Sequence, residues 1–227
     1  MLTLLTATGC RPEAWHICQR LMERQTYQGE VHWIIVDDGE IQQPIDFHRP
    51  GWVVSIIMPT PKWKAGDNTQ ARNLAEGLRM VGDKDRLVVI EDDDSYHPDW
   101  LSTVDRWLDK ADLVGEKRAR YYNTKTKRYR QLQNEQHASL CCTAMKGEAI
   151  KEFAKHLKPG VQFIDMNLWK RFGGSRALYD SKMVVGIKGL PGRSGIGMGH
   201  KIDFQGHVDQ DGSILRQWTG TNADLYT

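Results

Sequence analysis

The sequence predicts an α/β domain with a mostly parallel central sheet flanked by helices. Two observations lead there. Short apolar runs alternate with stretches of helical spacing, and the opening strand, helix, strand order implies a right-handed parallel crossover. The run Leu87-Val88-Val89-Ile90 then passes straight into Glu91-Asp92-Asp93-Asp94. Four aliphatic residues bounded by acids read as a strand buried on both faces. The acids then lie at its carboxyl end, where open α/β sheets bind ligands.

Each element follows in order. Leu2 to Thr8 reads as the first strand, closed by Gly9, and Pro12 opens a helix at its first position. Ala14, Ile17, Cys18, Leu21 and Met22 keep helical spacing to about Gln25. Val31 to Val36 is a second strand and Val53 to Met58 a third. Asp67 or Asn68 caps a helix through Arg79, with Ala71, Leu74, Ala75 and Leu78 inward. After the central strand, His97 is the expected cap of a helix running from Pro98 to about Lys110. Asp112 to Gly115 and Ser139 to Met145 read as strands, and Gly147 to His156 as a short helix. Val184 and Val185 belong to a last strand. The glycines from Gly186 to Gly199 mark a glycine-rich C-terminal loop ending at His200. The tail from Asp203 has no legible element.

Composition bounds the partners. A chain of 227 residues suits a single domain, and 40% hydrophobic with 26% charged residues is ordinary for a globular protein. A net charge of +2 gives no general affinity for nucleic acid. No apolar run approaches the ~20 residues of a membrane span, and Met1-Leu2-Thr3-Leu4-Leu5 lacks the basic flank of a signal peptide. The cysteines, Cys10, Cys18, Cys141 and Cys142, form no C-x-x-C pair. A reduced, cytoplasmic setting is the expectation.

Local charge is more telling. Four adjacent carboxylates repel one another unless a cation neutralises them, and Mn²⁺ or Mg²⁺ takes oxygen ligands of this kind. The plainer alternative is a solvated acidic turn. Residues 117–130 carry Lys117, Arg118, Arg120, Lys125, Lys127, Arg128 and Arg130, interleaved with Tyr121, Tyr122 and Tyr129 and with no acid. They read as a basic β-hairpin turning at Asn123-Thr124. A solvated basic face is one reading of it. A groove for nucleic acid, with cations for phosphates and tyrosines for stacking, is the other.

Three pieces occur in a telling order: Val36-Asp37-Asp38-Gly39 after the second strand, Ala71-Arg72-Asn73 before the central strand, and the acids followed by Tyr96-His97-Pro98-Asp99. Together they resemble the family-2 inverting glycosyltransferases of the GT-A fold, over roughly the first half of the chain and in patches beyond. The resemblance implies one GT-A-like domain, with residues 1–115 as its nucleotide-sugar-binding half and 116–227 as its acceptor-binding half. The family's D-x-D-type element falls on Glu91-Asp92-Asp93, with Glu91 where many relatives have Asp. Asp93 is then the metal ligand, and Asp92 contacts the donor's ribose or sugar. Thr6, Asp37 or Asp38, and Arg72 become contacts to nucleobase and ribose. His200 is a candidate second metal ligand, with an exposed loop histidine as the alternative. The family's catalytic base opens a later helix in an E-D-x-x-L/W pattern. Ile164-Asp165-Met166-Asn167-Leu168-Trp169 is similar to it, with the Glu lost and Asp165 kept. Asp165 is either that base or a simple helix cap.

The implied function is metal-dependent transfer of a sugar, with inversion, from a nucleotide-diphosphate donor such as UDP-sugar to an acceptor hydroxyl. The acceptor is open between a hydroxymethylated base in DNA, as in DNA modification, a saccharide and a lipid-linked compound. Rival readings are a metal-dependent nuclease or phosphatase and a non-catalytic nucleotide-binding module. A dinucleotide-binding oxidoreductase is disfavoured, because Thr6-Ala7-Thr8-Gly9-Cys10-Arg11 lacks the glycine fingerprint.

Overall fold

The computed structural model describes residues 1–161, 163–195, 200 and 204–226. The elements are β1 (Leu2–Thr8), α1 (Pro12–Glu23), β2 (Val31–Asp37), β3 (Trp52–Ile57), α2 (Gln70–Leu78), β4 (Arg86–Val89), β5 (Ser95–Tyr96), α3 (Trp100–Leu108), β6 (Leu113–Glu116), β7 (Arg120–Asn123), β8 (Arg128–Gln131), β9 (Thr143–Lys146), α4 (Glu148–His156), α5 (Ile164–Arg171), β10 (Arg176–Tyr179), β11 (Val184–Lys188), β12 (His207–Val208) and α6 (Ser213–Thr219). The main sheet has the order β10-β6-β9-β4-β1-β2-β3, and a smaller sheet has the order β12-β8-β7-β11-β5.

β4 sits in the middle of the main sheet, parallel to β1 on one side and antiparallel to β9 on the other. β1, β2 and β3 pair in parallel, as the alternation of apolar runs and helical stretches requires. Leu4, Leu5, Trp33, Ile34, Val88 and Val89 form its buried centre. α2 lies close on this sheet, since a Cβ at Gly77 would stand 2.3 Å from Leu5 Cδ1. A second packing focus is aromatic: Trp33 meets Trp15, Phe47 and Trp52 at centroid distances of 5.3, 5.1 and 6.3 Å.

Several local expectations are corrected. The helix after the acids begins at Trp100 with Asp99, not His97, at the cap position. The reason is tertiary: Ser95 and Tyr96 pair with β11, and His97 N–H donates to Met183 O at 2.8 Å, so the chain stays extended. Thr69, rather than Asp67 or Asn68, precedes α2. Residues 140–142 form a 3-10 turn, which delays the expected strand to Thr143. Gly186 lies within β11 rather than in a loop.

Residues 204–226 contain regular elements. β12 extends the hairpin of β7 and β8, and a 3-10 turn after α6 returns to the first half of the chain. There Asn222 Nδ2 donates to Tyr96 O at 2.9 Å, and Asp224 pairs with Arg24 at 3.1 Å. Among the described residues, no helix is long and apolar enough to cross a membrane.

Candidate active site

A cleft of about 680 Å³ opens at the carboxyl end of β4. Glu91, Asp92 and Asp93 line it because β4 ends at Val89 and the following turn is built from the acids. Their buried positions are set by specific partners. Asp92 accepts the Thr8 hydroxyl at 2.6 Å and Arg11 Nη1 at 2.6 Å. Asp93 accepts Arg11 Nη2 at 2.6 Å and lies 3.3 Å from Lys188 Nζ. Asp94 accepts Lys188 Nζ at 2.7 Å and the Ile187 N–H at 2.9 Å, which ties the turn to β11. Glu91 accepts Gln70 Nε2 at 2.6 Å.

Two cations of the chain itself, Arg11 and Lys188, therefore already offset part of the cluster's charge. At an effective dielectric of about 20, unit charges roughly 4 Å apart interact by about 4 kcal/mol, so these pairs dominate the local electrostatics. Burial pushes the Asp93 carboxyl up, but Arg11 and Lys188 more than reverse this and hold it well below the usual carboxylate range. Burial pushes Asp94 well above that range, with Lys188 opposing.

His200 reaches the same carboxylate, with Nε2 3.4 Å from Asp93 Oδ2. Burial, with Lys188 nearby, lowers its pKa to about 3. The imidazole is therefore neutral at physiological pH and keeps a lone pair. A neutral imidazole and an ionised carboxylate this close fit the donor set of a divalent ion. The fit has a condition. Both Asp93 oxygens are engaged by Arg11 and Lys188, and a divalent charge roughly 4 Å from the guanidinium would be opposed by about twice the single-charge energy. Glu91, Asp94 and Cys141 also bring ligand atoms within 4.8 Å of one another. There Lys188 already holds Asp94.

The remaining predicted contacts separate into two groups. Asp38 is fully buried and accepts Arg72 Nη2 at 3.3 Å, Arg193 Nη1 at 2.7 Å and, in a very short bond, the Thr69 hydroxyl. It is the polar focus beside the cleft. Asp37 instead braces its own loop, accepting the N–H groups of Gly39 at 2.9 Å and Gln43 at 2.7 Å. Thr6 is buried, and its hydroxyl accepts the Trp33 indole N–H at 3.0 Å beneath the sheet end. Thr8, two residues along the same strand face, is the threonine that lines the cleft.

Asp165 also lines the cleft, from the first turn of α5. Burial raises its pKa, against the pull of nearby backbone N–H groups and His137. Its carboxylate also takes hydrogen bonds from the backbone N–H groups of Met166 and Leu140, so it braces the start of this helix as well as facing the cleft. Phe163 and Met166 flank it, 60% and 47% exposed, and both line the cleft. Phe163 takes a left-handed φ of 57°, a conformation that bulky residues adopt only when their surroundings impose it.

The hairpin forms as expected, but its charges are largely engaged. Glu135 pairs with Lys117 at 2.9 Å and Arg118 at 2.5 Å, and Asp180 with Arg118 at 3.0 Å. Arg120 is buried against Trp218, and Arg128 donates to Gly206 O. Tyr121 hydrogen-bonds Ser139 at 2.8 Å, Tyr122 is buried, and Tyr129 packs edge-on against Trp218. Arg130 lines the cleft without an acidic partner among the described residues.

Sequence reasoning passed over Arg11, Lys188, Arg193, Thr8 and Gln43. Two carried a signal. Arg11 precedes the N-terminus of α1, where the helix dipole disfavours a cation, so it implies acids nearby in space. Lys188 ends a fully buried strand, and buried lysines need a partner. Arg193 donates to Asp38 and stacks on Trp63 at 4.6 Å, contacts that no local pattern encodes.

No protein-family model matches the chain, and no curated protein is similar to it in sequence. Solved structures are similar in fold. The crystal structure of S. aureus TarS superposes with a TM-score of 0.60 at 10% identity, covering 82% of this chain and 37% of that one. TarS 1-349 in complex with UDP gives a TM-score of 0.58 at 10% identity, over 82% of this chain and 60% of that one. The complex with UDP-GlcNAc gives 0.57 at 10% identity, over 88% and 61%. The chain thus spans between about a third and two thirds of the length of these proteins. At such identity the likeness is one of fold: the GT-A-like, mostly parallel sheet expected from the sequence is the one observed.

Proposed function

We propose that the protein is a nucleotide-sugar glycosyltransferase acting by inversion, with a UDP-sugar as donor. The observation that carries this reading is the joint placement of Asp92, Asp93 and Asp165 around one cleft at the sheet's carboxyl end. Support comes from the shared fold of TarS, which is solved with UDP and with UDP-GlcNAc.

In this reading the nucleoside lies near Asp38, Arg72 and Arg193, beside Thr8. The diphosphate lies over Arg11 and Lys188, and the sugar points toward Asp165. The acceptor oxygen attacks the anomeric carbon as the bond to the diphosphate breaks. Asp165 takes the proton from the acceptor hydroxyl, and its raised pKa makes it a stronger base than an ordinary aspartate. Asp93 with His200 would hold a divalent cation, which when bound supplies positive charge to the departing diphosphate. Phe163 and Met166 offer the acceptor an apolar face, and Arg130 offers a charge to an acceptor carrying phosphate.

The test is calorimetric titration of the full chain with UDP, ADP and GDP in Mn²⁺ buffer, followed by assay of UDP-sugar turnover. Selective binding of UDP with slow release of free sugar is the expected result. Absence of any nucleotide binding would remove the basis of the reading.

A further inference from the structure

We propose that Arg11 is a counter-ion latch. In the nucleotide-free protein it occupies the Asp92 and Asp93 oxygens in place of a divalent ion, and it releases them when a nucleotide diphosphate arrives. The proposal rests on the nucleotide-sugar reading of the cleft and adds an order of events to it.

Three observations support it. The guanidinium bridges both carboxylates at 2.6 Å, and one of the two oxygens it holds, Asp93 Oδ2, is the one His200 faces at 3.4 Å. A metal bound between Asp93 and His200 therefore competes with Arg11 for the same atom. Second, the latch is not saturated. Arg11 Nε is buried with no hydrogen-bond partner, so the fork keeps a donor for an incoming acceptor. Phosphate oxygens match the planar fork as well as carboxylates do. Third, the turn that carries Arg11 is coupled to the glycine-rich segment. Arg193 N–H donates to Cys10 O at 3.1 Å, and Gly192 approaches so closely that a Cβ there would lie 2.9 Å from the same oxygen. Gly192 has a φ of 96°, which other residues rarely adopt. Arg193 in turn holds Asp38. A nucleoside arriving at Asp38 thus meets the residue whose backbone holds the Arg11 turn, and a diphosphate meets Arg11 itself. Each would loosen the latch, and linkage requires that nucleotide and metal then favour one another's binding.

The experiment measures Mn²⁺ binding to the full chain directly, by the loss of the free-ion paramagnetic resonance signal, with and without saturating UDP. UDP binding is followed calorimetrically in the same mixtures. Wild type is compared with Arg11→Gln, which removes the charge, and Arg11→Lys, which keeps it. In wild type, UDP should tighten Mn²⁺ binding by about tenfold or more, within the usual range of coupling between sites. Arg11→Gln should bind Mn²⁺ without UDP about tenfold more tightly than wild type and lose most of the UDP effect. Arg11→Lys should stay close to wild type without UDP, and it keeps the proposal testable if the glutamine variant does not fold. The latch is overturned if Arg11→Gln matches wild type in nucleotide-free Mn²⁺ affinity, if UDP leaves the Mn²⁺ affinity of wild type unchanged, or if Arg11→Lys binds Mn²⁺ without UDP about tenfold more tightly than wild type. If UDP binds and Mn²⁺ binds to no variant, the latch falls while the nucleotide reading stands. If neither ligand binds, both fall.

Discussion

Asp93 and Asp165 are the residues on which the functional reading depends most directly. Asp93→Ala should abolish donor turnover and lower the melting temperature, because it takes a carboxylate partner from Arg11 and Lys188, while unfolding stays cooperative. Loss of folding alongside activity would mark the cluster as structural. Turnover should also cease in excess chelator if Asp93 and His200 hold a divalent ion, and full activity in chelator would sink that part of the reading. Asp165→Asn should lower kcat by about 10²- to 10⁴-fold, the usual range for a general base, with UDP affinity nearly unchanged. The wild-type pH–rate profile should lose activity toward acid with an apparent pKa above the ordinary aspartate value, because burial raises it. Transfer at the wild-type rate by the asparagine variant would move the base elsewhere. Asp94 is then poorly placed, since Lys188 and the Ile187 N–H hold it, and Asp180 is paired with Arg118.

Two elements make their own predictions. Glu116, at the end of β6, accepts the N–H groups of Met183 at 2.7 Å and Val184 at 3.0 Å and so anchors the start of β11. Burial pushes its pKa up to about 7, with Arg120 and those N–H groups opposing. A carboxyl raised in the folded state binds more protons there than in the unfolded chain. Its stabilising contribution is complete below the unfolded pKa near 4.5 and is lost as pH rises toward about 7. Denaturant unfolding between those pH values should show stability falling with pH in wild type. Glu116→Gln should flatten that slope, and an unchanged slope would reassign it. For α2, Gly77→Ala sets helix propensity against space. Alanine favours the helix by about 1 kcal/mol, yet its Cβ would stand 2.3 Å from Leu5 Cδ1. Overpacking of this kind costs about 1–3 kcal/mol, so net destabilisation is expected in an equilibrium unfolding curve.

The tail closes the molecule as a whole. Asn222 is fully buried and donates to Tyr96 O, next to the strand pair that joins the acidic turn to the smaller sheet. Asn222→Ala leaves that carbonyl unsatisfied and should cost about 1–3 kcal/mol. Because the Tyr96 hydroxyl oxygen accepts the Glu91 N–H at 2.8 Å and so braces the acidic turn, nucleotide affinity should weaken too. Loss of stability with unchanged UDP affinity would show that the tail braces the fold alone.

Much of this was legible in the chain because it depends on local chemistry. Apolar runs such as Leu87-Val88-Val89-Ile90 have few alternatives to burial, Pro12 does start α1, and alternating long side chains around Asn123-Thr124 do form the hairpin. The family resemblance pointed to Asp92, Asp93, Asp165 and His200, and all four line the cleft. What lay beyond it were partners distant in sequence. Thr6 and Thr8 share a strand face, and only the position of Trp33 decides which hydroxyl is consumed in the core. Asp37 and Asp38 are adjacent carboxylates, separated in role by a loop that returns Gln43 to one and by Arg193, from 155 positions away, on the other. The basic hairpin reads as a free cationic face, but Glu135 and Asp180 pair with Lys117 and Arg118 at its base. Above all, the acids seemed to lack a counter-charge, and tertiary structure supplies two in Arg11 and Lys188. Charges act through space rather than along the chain, so sequence shows which groups are present and packing decides which of them neutralise one another.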